Sequence, residues 1–234
     1  MVLGISGLDS RKEDMIEQLG DLHALGIGAM ALDMPGTGQA PIKAEAGAER
    51  MFSCVLDHLT ARPDIDADRI VVRGQSWSGH WAAVLAHTER ERILGAVYHS
   101  GSIHGGFQPE WQVRALASRE YLFGLFDARA AVYGARSLEE FLAIGPRMSL
   151  QARGLIGKPT APMLLLGGVK DTQVPIDDLY LLLNSGTPKE AWVNPDGGHM
   201  GRSEHWPQPQ IISRIVMPWI LRAIRGDVPP SAAC

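Results

Sequence analysis

Ser76 sits in the run Gly74-Gln75-Ser76-Trp77-Ser78-Gly79, after the apolar β-branched pair Val71-Val72 and before a helical stretch. A hydroxyl at a sharp strand-to-helix turn is thrust outward, and small neighbours let the backbone pass close to itself there. Such a hydroxyl could attack a carbonyl. A tight turn that needs only glycine's backbone freedom would be spelled the same way. Ser78 is the competing hydroxyl, but only Ser76 has a glycine two positions upstream.

Serine is a weak nucleophile until a base takes its proton, and the base needs an acid to orient it. At a turn of this kind the chain order is serine, acid, histidine, each just past a strand end. Asp171 follows the apolar run 161–168 in Gly167-Gly168-Val169-Lys170-Asp171 and meets the requirement. Asp177 and Asp178 come after Pro175 and read as first-turn helix acids, favoured by the helix dipole. His199 follows Gly197-Gly198 in a loop, with His205 as its competitor. His23, His58 and His87 fall on helical stretches, His80 opens the helix after Ser76, and His99 and His104 flank a strand end. All six read as surface or packing residues, with His104 alone able to reach a pocket.

A carbonyl under attack also needs donors for its developing oxyanion, and backbone N–H groups serve because they are fixed in advance. Trp77, next to the serine, should supply one. Leu8, in Ser6-Gly7-Leu8-Asp9-Ser10, should supply the other, with Gly7 as the alternative.

Short apolar runs alternate with amphipathic stretches. Strands are expected at 2–6, 26–35, 68–74, 93–101, 161–168 and 190–195, and helices at 12–25, 44–61, 77–90, 176–184 and 208–225. Near-continuous apolar strands separated by helices imply an α/β fold, a mostly parallel sheet with helices on both faces. Residues 106–158 interrupt the alternation with helical segments and no strand. Placed above the carboxyl ends of the strands, they would form a helical cap, although extra core helices would look the same. Phe107, Trp111, Tyr121, Phe123 and Tyr133 lie there and could line a substrate pocket, or simply pack.

Composition excludes several classes. The chain has 234 residues, 45% hydrophobic and 21% charged, with a net charge of −4, so one domain with its own core is expected and nucleic acid is not an expected partner. Cys54 and Cys234 form no metal or disulfide pattern, which fits a reducing compartment. No run is long enough to span a bilayer and residues 1–10 do not read as a secretory signal, so a cytoplasmic protein is expected. The tail 226–234, rich in Pro and Ala, is expected to fray.

With these residues in place the chain resembles the α/β-hydrolase superfamily, and within it the FrsA-like esterases and the dihydroxypseudooxynicotine hydrolase group. The stretches that carry the resemblance are "GISGLDSRKED", "ALDMPGTGQ", the run around Ser76, "GGVKDTQVP" and "DGGH". It implies a Ser76–Asp171–His199 triad that cleaves an ester, or an activated carbon–carbon bond next to a carbonyl, with no cofactor and no metal. The expected partner is a small-molecule acyl substrate, with a homodimer allowed. A serine peptidase or thioesterase would use the same triad, and a non-catalytic binding protein could keep the fold. Two departures stand out. Ser78 replaces a usual glycine, and residue 2 already lies in a strand that other elements precede in the family. The sequence is then either truncated or missing those elements, and its first strand should lie nearer a sheet edge.

Overall fold

The computed structural model describes residues 1–228. Cys234 and most of the expected tail, from residue 229 onward, lie outside that range. Six strands run in chain order: β1 Val2–Ile5, β2 Ala29–Leu32, β3 Val71–Gln75, β4 Gly95–His99, β5 Met163–Gly168 and β6 Glu190–Asn194. They form one all-parallel sheet in the order β2-β1-β3-β4-β5-β6. The helices are α1 Ile16–Ala24, α2 Arg50–Thr60, α3 Trp77–Thr88, α4 Pro109–Ala117, α5 Leu125–Tyr133, α6 Leu138–Met148, α7 Ile176–Leu183, α8 Gln208–Ile211 and α9 Met217–Arg225.

The strands read as continuous apolar runs because both faces of the sheet are covered. Leu3, Val72, Ala96 and Leu165 face a core shared with α2, α3 and α7. Their neighbours Val2, Val71, Val97 and Leu164 face a second core with α1 and α9. Period-two alternation thus sorts one strand's side chains between two apolar layers. Edge strand β2 is only half-buried, and β1 lies one place in from it.

The segment between β4 and β5 holds α4, α5 and α6. Its Phe107, Val132, Phe141 and Met148 join the core on the α2–α3 side. The helical segments expected there separate between Ala117 and Leu125, where Ser118 turns extended and Gly124 takes φ +68°. The helix expected at 208–225 contains a π-helical turn, Ile212–Val216. Pro218 follows this turn, and a proline ring in a regular helix would strike the carbonyl four residues earlier, which a widened turn relieves. The expected helix starts at 12 and 44 also moved inward: Lys12–Met15 is a 3₁₀ turn, and α2 begins at Arg50.

The chain runs from β1 outward to β2 and then crosses to β3 on the other side of β1. Two loops that leave neighbouring strands in opposite directions open a crevice between them, where open α/β sheets bind ligands. Leu8 follows β1 and Ser76 follows β3, so both stand at that crevice.

Candidate active site

Ser76 takes φ 54° and ψ −128° between β3 and α3. Non-glycine residues in such regions carry about 1–3 kcal/mol of strain and persist only where their surroundings hold them. Gly74 makes the kink feasible, because a Cβ there would collide with the carbonyl of Ser78. Ser78 itself stabilises the turn. Its Oγ accepts the N–H of Gln75 at 2.9 Å and can donate to the carbonyl of Ile5 at 2.8 Å, tying the turn to β1. The close approach that glycine usually allows occurs one residue later, where Gly79 packs against Gly101.

Ser76 Oγ lies 2.8 Å from His199 Nε2, and His199 Nδ1 lies 2.9 Å from Asp171 Oδ2. An ionised carboxylate can only accept, so Nδ1 carries the ring proton and Nε2 offers its lone pair to the serine hydroxyl. All three residues are buried. Oδ1 of Asp171 accepts the N–H groups of Gln173 (2.7 Å) and Val174 (3.0 Å). Burial pushes this carboxyl up, but the His199 hydrogen bond and charge, with those two N–H groups, more than offset it, and it sits below its ordinary value.

His199 is held by a loop that is itself braced. Asn194 Nδ2 donates to the carbonyl of Gly201 at 2.8 Å. His99 Nε2 donates to the carbonyl of Met200, also at 2.8 Å, where Met200 has φ 59°. His205, the competing base, is exposed.

The loop after β1 is tied down from below. Asp33, at the end of β2, accepts the N–H groups of Lys12 and Gln39, each at 2.9 Å. The N–H of Gly7, the alternative to Leu8, is taken by Ser10 Oγ at 2.8 Å. Leu8 and Trp77 line the same cavity as Ser76 and His199, and among the described residues neither N–H has a backbone or side-chain acceptor. The cavity is narrow, with a free volume of about 20 Å³.

Of the residues expected to bind substrate, Phe107 and Tyr121 line this cavity. Phe123 does not: it is 88% exposed, because the break after α4 turns it outward. His104 is turned away too, its Nδ1 on Ser149 Oγ at 2.9 Å. Trp111 donates from Nε1 to the carbonyl of Gln173 at 3.0 Å, and so braces a lining residue without lining the cavity itself. Tyr133 stacks edge-on against Trp77 with 5.6 Å between ring centroids. Sequence reasoning missed Gln112, Arg129 and Gln173, which also line the cavity. The only signal for Arg129 was a single cation in the largely apolar run "FDARAAVYG".

Two residues read as structural prove to brace or border the site. Asp178 accepts the N–H groups of Ile103, Gly105 and Gly106 at 2.7–2.9 Å and fixes the loop after β4. Burial nonetheless pushes its carboxyl up. His80 lines the cavity; its Nδ1 donates to the Ser102 carbonyl at 3.0 Å, and burial lowers its pKa to about 3. His99 is likewise lowered to about 3 by burial. Among the described residues no group of three or more His, Cys, Asp or Glu is placed to hold a metal ion, and no helix is long and apolar enough to cross a membrane.

A parallel sheet covered on both faces, with a strained serine after its third strand and a Ser–His–Asp network at the switch point, is the architecture of an α/β-hydrolase. The chain belongs to the FrsA-like esterase family, whose profile matches residues 1–191. Among solved structures it is similar to 2,6-dihydroxy-pseudo-oxynicotine hydrolase (TM-score 0.78, 22% identity, 99% of this chain and 62% of that one). It is also similar to acetyl xylan esterase 1 from Thermoanaerobacterium sp. (TM-score 0.60, 20% identity, 95% of this chain and 74% of that one). Esterase Pf2001 of Pyrococcus furiosus gives a TM-score of 0.62 at 18% identity, over 97% of this chain and 78% of that one. The chain therefore spans under two thirds of the length of the dihydroxy-pseudo-oxynicotine hydrolase. No curated protein matched it.

Proposed function

We propose that this protein is a serine hydrolase that cleaves an ester, or an activated carbon–carbon bond next to a carbonyl, through an acyl-enzyme. The observation that carries this reading is the unbroken Ser76–His199–Asp171 chain, 2.8 and 2.9 Å long, opening on a cavity with two unspent backbone N–H groups. His199 Nε2 takes the proton as Ser76 Oγ attacks the carbonyl carbon, and Leu8 and Trp77 hold the oxyanion. Asp171 steadies the imidazolium. His199 then returns the proton to the departing oxygen or carbon, and a water deprotonated by His199 releases the acid and restores Ser76. A carbon leaving group departs only if the substrate delocalises the electron pair it keeps. In this reading the segment 106–158 acts as a cap, because Phe107, Gln112, Tyr121 and Arg129 wall the cavity from above the sheet.

Labelling with a fluorophosphonate tests it, together with hydrolysis of 4-nitrophenyl acetate. Ser76→Ala should lose both, and Ser78→Ala should keep labelling. A folded wild-type protein that neither labels nor hydrolyses would instead be a binding protein on a hydrolase fold.

A further inference from the structure

Among the described residues, Arg129 is the one guanidinium or ammonium that lines the Ser76 cavity. It projects from α5 and is 5% exposed. Nη1 donates to Gln112 Oε1 at 3.0 Å and Nη2 to Gln173 Oε1 at 2.7 Å. Both acceptors are neutral amide oxygens, and their orientation is fixed from behind. Gln112 Nε2 donates to the Gly106 carbonyl, and Gln173 Nε2 donates to Ser118 Oγ and the Ala115 carbonyl. Nε of Arg129 has no partner among the described residues. A guanidinium has five N–H donors, so most of its donor capacity is unspent.

The charge is also unspent. No carboxylate among the described residues hydrogen-bonds to Arg129, and Asp171, whose field it feels, is committed to His199 and two backbone N–H groups. The guanidinium lies over the ring of Trp77, 5.4 Å from its centroid. A buried cation with no counter-ion is costly unless a ligand supplies one. Here the cation lines the same cavity as Ser76, with its flat fork held by two glutamines and an indole. A guanidinium fork matches a carboxylate in shape and charge.

We propose that Arg129 receives a carboxylate carried by the substrate, so that the protein acts on carbonyl compounds bearing a carboxylate within the span of this cavity. The assignment rests on Ser76 being the nucleophile, and it names the substrate class of that site. Gln112 and Gln173 are positioning residues for the guanidinium. A purely structural Arg129 would affect every substrate alike, whereas a carboxylate receptor separates charged from neutral ones.

The probes are the mono-4-nitrophenyl esters of succinic, glutaric and adipic acid, each against the 4-nitrophenyl ester of the monoacid of equal chain length. A second arm compares 4-acetoxybenzoate with 4-methylphenyl acetate and places the charge on the leaving side. At least one pair should favour the anionic member in kcat/KM by roughly 10- to 100-fold, the effect of a charge-assisted hydrogen bond. Arg129→Gln should collapse that ratio toward one, lowering kcat/KM for the anionic member by roughly 10- to 100-fold more than for its neutral partner. Equal rates within every wild-type pair overturn the proposal, and so does an equal loss on both members in a folded Arg129→Gln. If that variant does not fold, the wild-type ratios decide alone. Neutral hydrolysis without preference refutes only the carboxylate assignment. Absence of all hydrolysis and of fluorophosphonate labelling refutes the hydrolase reading, and this assignment with it.

Discussion

Replacing Asp171 by asparagine should invert the tautomer of His199. The two backbone N–H groups of Gln173 and Val174 point at Oδ1, at 2.7 and 3.0 Å, and an amide oxygen in that place keeps both. The amide nitrogen must then occupy the Oδ2 position, 2.9 Å from His199 Nδ1. Two N–H donors cannot face each other at that separation, so the ring sheds its Nδ1 proton and carries it on Nε2 instead. Nε2 then donates to Ser76 Oγ across the same 2.8 Å and can no longer take its proton. The expected loss in kcat for 4-nitrophenyl acetate is about 10⁴-fold, or about 5 kcal/mol of transition-state stabilisation. Folding should suffer far less, by about 1–3 kcal/mol, because one charge-assisted hydrogen bond becomes a neutral one. Steady-state kinetics and the rate of fluorophosphonate labelling measure the first, and urea unfolding the second. Asp178→Asn is the control. It loosens the loop after β4 and should lower stability while keeping most activity per folded molecule. An Asp171→Asn enzyme within about tenfold of wild type would refute the orienting role, because a wrong tautomer cannot cost so little.

Gly74→Ala should destabilise the protein by roughly 3 kcal/mol or more and abolish labelling, since the new methyl group meets the rigid carbonyl of Ser78 rather than a movable side chain. Thermal unfolding reads the first effect and a fluorophosphonate the second; an alanine variant of normal stability would show the turn to be laxer than described. Stability should also fall on acidification from pH 7 to pH 5. His80 and His99 are held neutral by burial, with Arg153 near the first and Arg73, His199 and Arg202 near the second adding to the effect, and both titrate at about 3 instead of 6.5. The unfolded chain therefore binds protons below pH 6.5 that the folded one refuses, and each imidazole costs about 2 kcal/mol by pH 5, or about 4 kcal/mol for the pair. The low Asp171 contributes stability that is lost only as pH falls below the ordinary carboxylate range, while the raised Asp178 opposes the histidines as its own range is approached. Urea midpoints at the two pH values give the answer, and equal or greater stability at pH 5 would show these imidazoles to be solvated.

Much of this was written in local chemistry. The six strands could be read because residues buried on both sides must be apolar at every position, as in Met163-Leu164-Leu165-Leu166. Ser76, Asp171 and His199 could be read because each stands at the end of such a run, where a parallel sheet delivers its loops to one edge. Sequence order also required Ser78 to fit a crowded turn, but not how. The answer depends on the Ile5 carbonyl of a neighbouring strand, which receives the Ser78 hydroxyl.

The cap was harder because its helices answer to partners far away in the chain. Phe123 reads as a pocket or packing residue, yet Gly124 and the extended Ser118 break the helix and leave it exposed beside Leu122. Arg129 looks like a surface charge on α5 until Gln112 from α4, Gln173 from the loop after β5 and Trp77 from α3 close around it. The sequence by itself determined the alternation of strand and helix and the placing of Ser76, Asp171 and His199 just past strand ends, since these follow from periodicity and from which residue stands where a strand stops. Only the tertiary structure decided which side chains wall the cavity and which charges lie unpaired in it, because solvation and pairing arise between segments that the chain order keeps apart.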